Sequence, residues 1–291
     1  MKIALGTVQF GLDYGISNKQ GQTCVQQASD ILEYAHQNEV NFLDTATSYG
    51  NSEEMLGRIK CTQDWNIVTK TPNFNTQSIV SLDVENLRES FEQSLVKLKR
   101  KNIYGLLVHD SDDLFKPGGD KLFREMDSIR SSGRVSKIGV SVYNSEQIYK
   151  ILGEYDFDII QLPINILDQR LIETGVLKKI KKYDIEVHAR SVFLQGLLLM
   201  SIDNIPPYFF PIKKKLENFI KKTKELSMSR LELALAFVQS IDEIDKVIVG
   251  VNTLEQLSEV INASRTQIRF SEFSDLAVDN QDFIDPTRWR V

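Results

Sequence analysis

Short apolar runs alternate with amphipathic helical patterns along nearly all of the 291 residues. This alternation predicts an α/β fold, because nearly continuous apolar strands joined by helices form a parallel sheet that is covered on its outer face. Eight such units in a chain of this length predict a (β/α)8 barrel of the TIM type. No linker rich in Pro, Gly or Ser divides the sequence, so residues 1–291 are predicted to form a single domain.

The predicted strands are short and rich in β-branched residues, and polar residues mark their ends. They span residues 2–6, 41–45, 66–70, 103–109, 137–141, 158–162, 185–190 and 246–250. Between them, apolar residues recur at spacings of three and four, for example from Ala28 to Ala35 and from Leu87 to Leu98. This spacing predicts amphipathic helices, each of which packs one apolar face on the barrel.

Three segments are longer than the minimal repeat requires. Residues 110–120 form a polar loop after the fourth strand, and residues 201–212 combine prolines and aromatics after the seventh. Loops of this kind lie at the catalytic end of a barrel, so segment 201–212 is either a substrate wall or lid, or a connector whose aromatics pack on the barrel. The tail 265–291 is expected to dock on the barrel through Phe270, Phe273, Phe283 and Trp289.

The composition favours a folded protein whose partner is a small molecule. Hydrophobic residues make up 42% of the chain and charged residues 26%, which allows a sizeable core. The net charge of −5 argues against a nucleic-acid surface. No apolar run reaches the length of a membrane span, and the N-terminus lacks the pattern of a signal peptide, so no membrane partner is expected. No pattern in the sequence predicts an oligomeric state.

Cysteine and histidine usage narrows the chemistry. The two cysteines, Cys24 and Cys61, are far apart in the chain and fit a reducing compartment, so a cytoplasmic location is predicted. The three histidines are scattered, which argues against a histidine-based metal site. We expect His36 on a helix surface and His188 in a strand or the core, which leaves His109 for chemistry.

Four polar residues stand at or just past the ends of predicted strands: Asp44, Tyr49, Lys70 and His109. Side chains at the carboxyl ends of parallel strands converge at one end of a barrel. An acid, a phenol, an ammonium group and an imidazole brought together there form a site for proton transfer. Each residue alone has an ordinary structural explanation, but the four at successive strand ends indicate a catalytic set.

The four side chains suggest a proton donor directed at a carbonyl oxygen. The ordinary pKa of Tyr is about 10, which is high for a proton donor at neutral pH. A nearby ammonium group lowers a phenol pKa, so Lys70 is expected to act on Tyr49 in this way, while Asp44 keeps the lysine charged and oriented. His109 is placed to bind the substrate oxygen. Because no side chain supplies the hydride that carbonyl reduction needs, a nicotinamide cofactor is implied.

The segment LDTATSYGNSEEMLG (43–57) resembles the signature of the aldo-keto reductase superfamily, which has a catalytic Asp at a strand end and a catalytic Tyr five positions later. The Lys of IVTKT (67–71) and the His of LLVHDSD (106–112) complete the family's tetrad in its order. The resemblance covers roughly residues 1 to 262. It implies a barrel that binds an extended NAD(P)H without a Rossmann fold, and no GxGxxG segment follows a predicted strand.

The resemblance also implies which residues hold the cofactor: Gly6, Thr7, Ser141, Gln161, Ser191, Phe193, Leu194, Gly196, Gly250, Asn252 and Gln256. Within this set, Ser141 and Gln161 match the pair that holds the nicotinamide carboxamide. Val142 stands where the family commonly has Asn, so one polar contact is missing. The segment 193–196 matches the loop that wraps the pyrophosphate.

The loop after the eighth strand, residues 250–257, matches the part of the family that meets the adenosine phosphate. Many members that prefer NADPH place Lys or Arg there, because a cation binds the 2′-phosphate strongly. This chain has no basic residue between Lys246 and Arg265, and Val260 replaces an Asn that often touches adenine. The cofactor is therefore either NADPH or NADH.

The leading functional hypothesis is a carbonyl reductase or alcohol dehydrogenase, with hydride from nicotinamide C4 and the proton from Tyr49. The polar first loop (7–22) and the predicted mouth residues Asn73, Asp110, Tyr143 and Arg190 favour a small polar carbonyl substrate, such as a keto sugar or sugar derivative.

Three alternatives remain open. The first is a redox-neutral epimerase or dehydratase that retains its cofactor. The second is a non-catalytic, cofactor-binding regulatory subunit, since the family includes channel-associated subunits. The third, an unrelated barrel lyase or hydrolase, is disfavoured because the sequence lacks a metal-ligand spacing.

Overall fold

The computed structural model describes residues 2–269 and 273–290. Its parallel strands pair in chain order, and β1 pairs with β8 to close the barrel. The strands are β1 Ile3–Gly6, β2 Phe42–Asp44, β3 Asn66–Lys70, β4 Ile103–Val108, β5 Val135–Ser141, β6 Ile159–Pro163, β7 Glu186–Arg190 and β8 Lys246–Gly250. The predicted (β/α)8 barrel is confirmed, and each predicted strand is present with ends that differ by no more than two residues.

Helices surround the barrel and occupy its loops. The α-helices are α1 Val8–Gly11, α2 Val25–Gln37, α3 Ser52–Arg58, α4 Ser81–Leu98, α5 Asp112–Phe115, α6 Asp120–Ser131, α7 Ser145–Glu154, α8 Arg170–Glu173, α9 Val176–Lys181, α10 Lys213–Glu225, α11 Arg230–Gln239, α12 Leu254–Ala263 and α13 Gln281–Ile284. Short 3-10 helices span Lys60–Thr62, Leu194–Leu199, Ile202–Asn204, Pro207–Ile212, Ser274–Leu276 and Pro286–Arg288. None of the helices described here is long and apolar enough to cross a membrane.

The core has two parts, as expected for strands that are buried on both faces. The inner part fills the barrel with Ala4, Phe42, Val68, Leu107, Ile159 and Ile248. The outer part lies between the strands and the helices. There α2 buries the apolar stripe from Ala28 to Ala35 that its sequence spacing predicts.

A polar cluster lies inside the barrel toward the N-terminal ends of the strands. His188 is fully buried, as the sequence predicts, and its Nε2 lies 3.2 Å from a Glu186 carboxylate oxygen. Tyr104 and Lys137 each donate to the same carboxylate at 2.6 Å. Burial alone would raise the pKa of Glu186, but these hydrogen bonds lower it to about 2. This cluster is structural and leaves the opposite end of the barrel for chemistry.

The long segments pack on the body of the protein. Within 201–212, Phe209 is buried and meets the Trp289 ring edge-on at 4.8 Å between ring centroids. None of the residues 201–212 lines the large cavity described below, which favours the connector interpretation over a lid. In the tail, the Phe273 carbonyl accepts a hydrogen bond from Gln169 at 2.8 Å. Phe270 lies outside the described residues.

Candidate active site

A cavity of about 590 Å³ opens at the end of the barrel where the strands finish. Its walls come mainly from the loops after β1, β7 and β8, and its base contains the four residues Asp44, Tyr49, Lys70 and His109. The structure therefore brings together the tetrad that the sequence predicts. This is the position in which barrels of this class carry their active sites.

Asp44 and Lys70 form a buried ion pair at the base of the cavity. They occupy the last positions of the neighbouring strands β2 and β3. Lys70 Nζ donates to Asp44 Oδ1 at 2.8 Å, to Asp44 Oδ2 at 2.7 Å and to the Thr45 carbonyl at 2.8 Å. Lys70 is 1% exposed and Asp44 4%. Burial lowers the pKa of Lys70, and the adjacent Asp44 carboxylate opposes that shift.

A chain of buried hydroxyl groups fixes the backbone around Asp44. Thr7 Oγ1 donates to the Asp44 carbonyl at 3.0 Å. Ser52 Oγ lies 2.8 Å from Thr7 Oγ1, and Thr45 Oγ1 donates to Ser52 Oγ at 3.1 Å. All three side chains are fully buried, so these bonds hold β1, the end of β2 and the start of α3 in one arrangement.

Two glycines let the loop that carries Tyr49 approach α1. A Cβ on Gly11 would overlap the carbonyl oxygen of Tyr49, and a Cβ on Gly50 would overlap the carbonyl oxygen of Gly11. Gly50 also has a positive φ of 54°, a conformation that glycine adopts readily. The close backbone contact fixes Tyr49 over the ion pair, with Lys70 Nζ 5.1 Å from the centre of its ring.

The electrostatics of Tyr49 differ from the sequence-based expectation. Burial raises the pKa of the phenol, and the Asp44 charge raises it further. The positive charge of Arg190 acts against this rise. Lys70 directs its three ammonium protons at Asp44 and Thr45 and donates no hydrogen bond to the phenol. Tyr49 therefore keeps its proton throughout the physiological pH range.

His109 stands beside Tyr49, with 6.2 Å between the ring centroids. Burial and then the positive charge of Lys70 lower its pKa to about 4. The imidazole is consequently neutral at pH 7 and has one N–H to donate. Its Nδ1 lies 3.5 Å from the Ser48 hydroxyl.

Most of the residues predicted to hold a cofactor line the same cavity. They are Gly6, Thr7, Ser141, Gln161, Ser191, Phe193, Gly196, Gly250, Asn252 and Gln256. Leu194 does not, because its side chain is fully buried in the core and its N–H donates to Ser191. Of the predicted mouth residues, Tyr143 and Arg190 line the cavity, whereas Asn73 and Asp110 do not.

The loop 12–22, which we call the strap, crosses the cavity. Ser17 Oγ donates to the Gln195 carbonyl at 3.3 Å, and Asn252 Nδ2 donates to the Gly21 carbonyl at 3.4 Å. The strap thus connects the loop after β7 with the loop after β8. Its polar composition marked it as part of the mouth, but nothing in the sequence indicated these two contacts.

Further lining residues were not found from the sequence. Gln9 packs on Gly250, and its buried side-chain oxygen has no hydrogen-bond partner in the described part of the protein. Arg230, at the start of α11, and Glu259, on α12, also line the cavity, and Arg230 donates to the Met200 carbonyl. Their contribution depends on how separate helices meet the barrel, so no local pattern could reveal it.

Comparison with known proteins decides the family. The model of the Aldo/keto reductase family matches residues 2–278. The chain belongs to the aldo-keto reductase family. As a member, it is an NAD(P)H-dependent oxidoreductase, and the family uses NADPH or NADH. The match ends before the last part of the tail, so the assignment of 265–291 to the same domain stays a prediction.

The chain is similar to several aldo-keto reductases and oxidoreductases at low identity. It is 24% identical to the uncharacterized oxidoreductase YrpG of Bacillus subtilis, over 90% of this chain and 86% of that protein. It is 24% identical to the L-galactose dehydrogenase of Arabidopsis thaliana, over 77% of this chain and 73% of that protein. The holo form of aldo-keto reductase AKR11C1 from Bacillus halodurans shares the fold with a TM-score of 0.77, at 18% identity, over 99% of this chain and 95% of that one.

The groups along the cavity fit the cofactor of an aldo-keto reductase. Three non-glycine residues of the β7 loop, Ser191, Leu194 and Gln195, have positive φ angles of 60°, 46° and 52°. Backbone strain of this kind is concentrated at binding sites. The unpartnered oxygen of Gln9 offers an acceptor to a hydroxyl group. Residues 2–269 and 273–290 contain no group of three or more His, Cys, Asp and Glu that could hold a metal ion.

Proposed function

We propose that this protein is a carbonyl reductase or alcohol dehydrogenase that acts on a small polar carbonyl compound, with Tyr49 as the proton donor. One observation carries the proposal. At the base of a cavity large enough for a small-molecule ligand, a protonated phenol and a neutral imidazole stand together above a buried Asp44–Lys70 pair. During reduction, the oxygen of a carbonyl group gains negative charge and needs a proton. The hydroxyl of Tyr49 can supply the proton, and the N–H of His109 can stabilise the charge.

The reduced nicotinamide, when bound, supplies a hydride to the carbonyl carbon from its C4 atom. As the carbonyl oxygen gains negative charge, Tyr49 transfers its hydroxyl proton to that oxygen, and the product is an alcohol. The raised pKa of Tyr49 is compatible with this role, because an alkoxide is a stronger base than a phenolate. In the reverse direction, Tyr49 must first lose its proton, and the resulting phenolate then takes the proton of the alcohol.

His109 and Lys70 act around this proton transfer. If the Ser48 hydroxyl donates to Nδ1 of His109, the N–H of the neutral ring is on Nε2 and is free to hydrogen-bond the substrate oxygen. The Lys70–Asp44 ion pair lies beneath the Tyr49 ring and supports it in a fixed position. These contacts support a positioning role for the pair.

We assign the cofactor to the part of the cavity bounded by the β5 and β6 strand ends and the β7 and β8 loops. Gln161 Nε2 donates to Asp44 Oδ1 at 2.7 Å, which leaves its side-chain oxygen available to the N–H groups of a carboxamide. Ser141, the register partner of Gln161 on the adjacent strand, provides a hydroxyl beside it. The β7 and β8 loops would hold the phosphates and the adenosine.

The substrate class follows from the walls of the mouth. Tyr14, Tyr143, Gln195 and Arg190 line the cavity together with His109, and all of them carry groups that hydrogen-bond. This supports a hydroxylated substrate such as a keto sugar or sugar derivative. One similar protein is named L-galactose dehydrogenase, which agrees with a sugar-like substrate.

Cys24 and Cys61 form no disulfide, and we keep the cytoplasm as the predicted location.

Fluorescence titration of the purified protein with NADPH and with NADH, after an absorbance scan for retained cofactor, tests the proposal first. Saturable binding, followed by oxidation of the cofactor with members of a carbonyl panel, would support it. A cofactor that stays bound through purification, with isomerisation of a sugar and no net oxidation, would replace it with a redox-neutral epimerase. Binding with no turnover of any carbonyl would replace it with a cofactor-binding regulatory subunit.

A further inference from the structure

Arg190 is the last residue of β7 and places a guanidinium group at the cavity beside the tetrad. Its guanidinium carbon lies 4.3 Å from the centre of the Tyr143 ring. Nη1 donates to Ser191 Oγ at 3.3 Å, and Nη2 donates to the Val142 carbonyl at 3.2 Å. Stacking and two hydrogen bonds together hold the plane of the group in one orientation.

This cation has no acidic partner within residues 2–269 and 273–290. Two carboxylates line the cavity, and neither forms an ion pair with Arg190: Asp44 is paired with Lys70, and Glu259 belongs to α12. A guanidinium group has five N–H donors, so its two hydrogen bonds leave three donors for a ligand. A half-buried charge that the protein itself does not neutralise favours an anion in the cavity.

The charge of Arg190 reaches the reacting groups. Burial raises the pKa of Tyr49 and of Tyr14, and the positive charge of Arg190 acts against that rise in both residues. Because Arg190 lines the same cavity as Tyr49 and His109, one small molecule can contact the guanidinium group and the tetrad together.

We propose that the substrate carries a carboxylate near its reacting carbonyl and that Arg190, stacked on Tyr143, binds this carboxylate. The proposal rests on the proposed carbonyl reductase function and specifies its substrate as an anionic carbonyl compound. Arg pairs with carboxylates through two parallel N–H···O bonds, a geometry that a guanidinium plane already held by stacking can offer without further ordering.

The cofactor pyrophosphate is the other anion that could meet Arg190, and the contacts of this residue disfavour it. Arg190 leans toward β5, where it touches the Val142 carbonyl and the Tyr143 ring next to Ser141, the residue assigned to the carboxamide. The loop assigned to the phosphates, residues 193–196, follows Arg190 in the chain but makes no hydrogen bond to its guanidinium group in the described structure.

Two matched substrate pairs test the proposal: 4-oxobutanoate with its methyl ester, and 4-carboxybenzaldehyde with its methyl ester. We expect the wild-type enzyme to have a higher kcat/KM for the acid of each pair. Arg190→Gln should lower the ratio of kcat/KM for the acid to kcat/KM for its ester by roughly 10-fold to 100-fold, the usual value of a hydrogen-bonded charge. Arg190→Lys should recover part of the loss. Arg124→Gln, which removes an exposed arginine from α6, is the matched control.

The remaining outcomes are distinct. An equal loss of kcat/KM for acids and esters in Arg190→Gln would overturn the proposal. A higher Kd for NADPH or NADH, with an unchanged ratio of kcat/KM between acid and ester, would also overturn it and would assign the anion to the cofactor. If the wild-type protein binds cofactor but reduces no carbonyl, the proposed function fails. Calorimetry with 4-(hydroxymethyl)benzoate and its methyl ester on the cofactor-saturated protein then still reports whether Arg190 selects the carboxylate.

Discussion

Lys70 directs two of its ammonium protons at the two carboxylate oxygens of Asp44, at 2.7 and 2.8 Å, in a place that water hardly reaches. Its third proton goes to the Thr45 carbonyl at 2.8 Å. With each donor satisfied, the pair acts as a neutral and rigid unit beneath Tyr49. It supports the phenol through position, with Lys70 Nζ 5.1 Å from the centre of the Tyr49 ring.

Removal of one member of this pair should destabilise the protein strongly. Asp44→Asn or Lys70→Met leaves a buried charge without its partner, which costs about 3–5 kcal/mol of unfolding free energy. The double variant Asp44→Asn/Lys70→Met should lose less than the sum of the two. Urea unfolding of the three variants measures this, and additive losses would show that the two charges are not coupled. Arg124→Gln, which breaks an exposed pair with Asp120, should change stability by less than about 1 kcal/mol.

Tyr49→Phe should reduce kcat at least about 100-fold, because it removes the proton donor and leaves the ring in place. The Kd for the cofactor should stay within about twofold of the wild-type value, as the Asp44–Lys70 pair is unchanged. Steady-state rates and fluorescence titration report the two quantities separately. Tyr183→Phe removes an exposed hydroxyl and serves as the control. If the variant loses cofactor affinity and kcat in parallel, Tyr49 is not the acid.

His109 should remain neutral until the pH falls toward 4, because burial and the Lys70 charge lower its pKa to about 4. The ordinary pKa of His in an unfolded chain is about 6.5. The contribution of His109 to stability is therefore complete above pH 6.5 and is lost as the pH falls through 4. NMR titration of the histidine ring signals, with His109→Gln to assign them, measures the pKa. A midpoint near 6.5 would contradict the neutral-donor role.

Gly196→Ala should open the strap over the cavity. The φ of Gly196 is 92°, and an added Cβ would overlap the Ser17 side chain. We expect faster cofactor dissociation in stopped-flow fluorescence, with kcat affected less than the off-rate. Gly153→Ala, at a position on α7 where an added Cβ meets nothing, is the matched control. An unchanged off-rate in Gly196→Ala would mean that the strap does not retain the cofactor.

Asn252→Arg should shift the cofactor preference toward NADPH. Asn252 lines the cavity in the β8 loop, where its backbone N–H donates to Gln256 at 2.7 Å and its side chain reaches the strap. An arginine there would offer a bidentate partner to a 2′-phosphate. The ratio of the Kd values for NADPH and NADH measures the effect, and a roughly tenfold change in that ratio is expected. No change would place the adenosine phosphate elsewhere in the cavity.

The barrel was predictable because strand-forming runs and helical spacing are local properties. The run NIVTK (66–70) predicted β3 with both of its ends correct, and the apolar stripe from Ala28 to Ala35 predicted the buried face of α2. The position of Lys70 at a strand end was readable for the same reason. Leu194 shows the limit, because the segment containing it resembles a cofactor loop while its own side chain turns into the core.

The sequence by itself determined the order of strands and helices, the four polar residues at strand ends and the family to which they belong, since each is written in short segments. Only the tertiary structure decided that Lys70 donates its hydrogen bonds to Asp44 and Thr45. It also decided that Arg190 stacks on Tyr143 without an acidic partner in the described residues, and that the strap reaches Gln195. These features depend on distances between residues far apart in the chain, and closure of the barrel sets those distances.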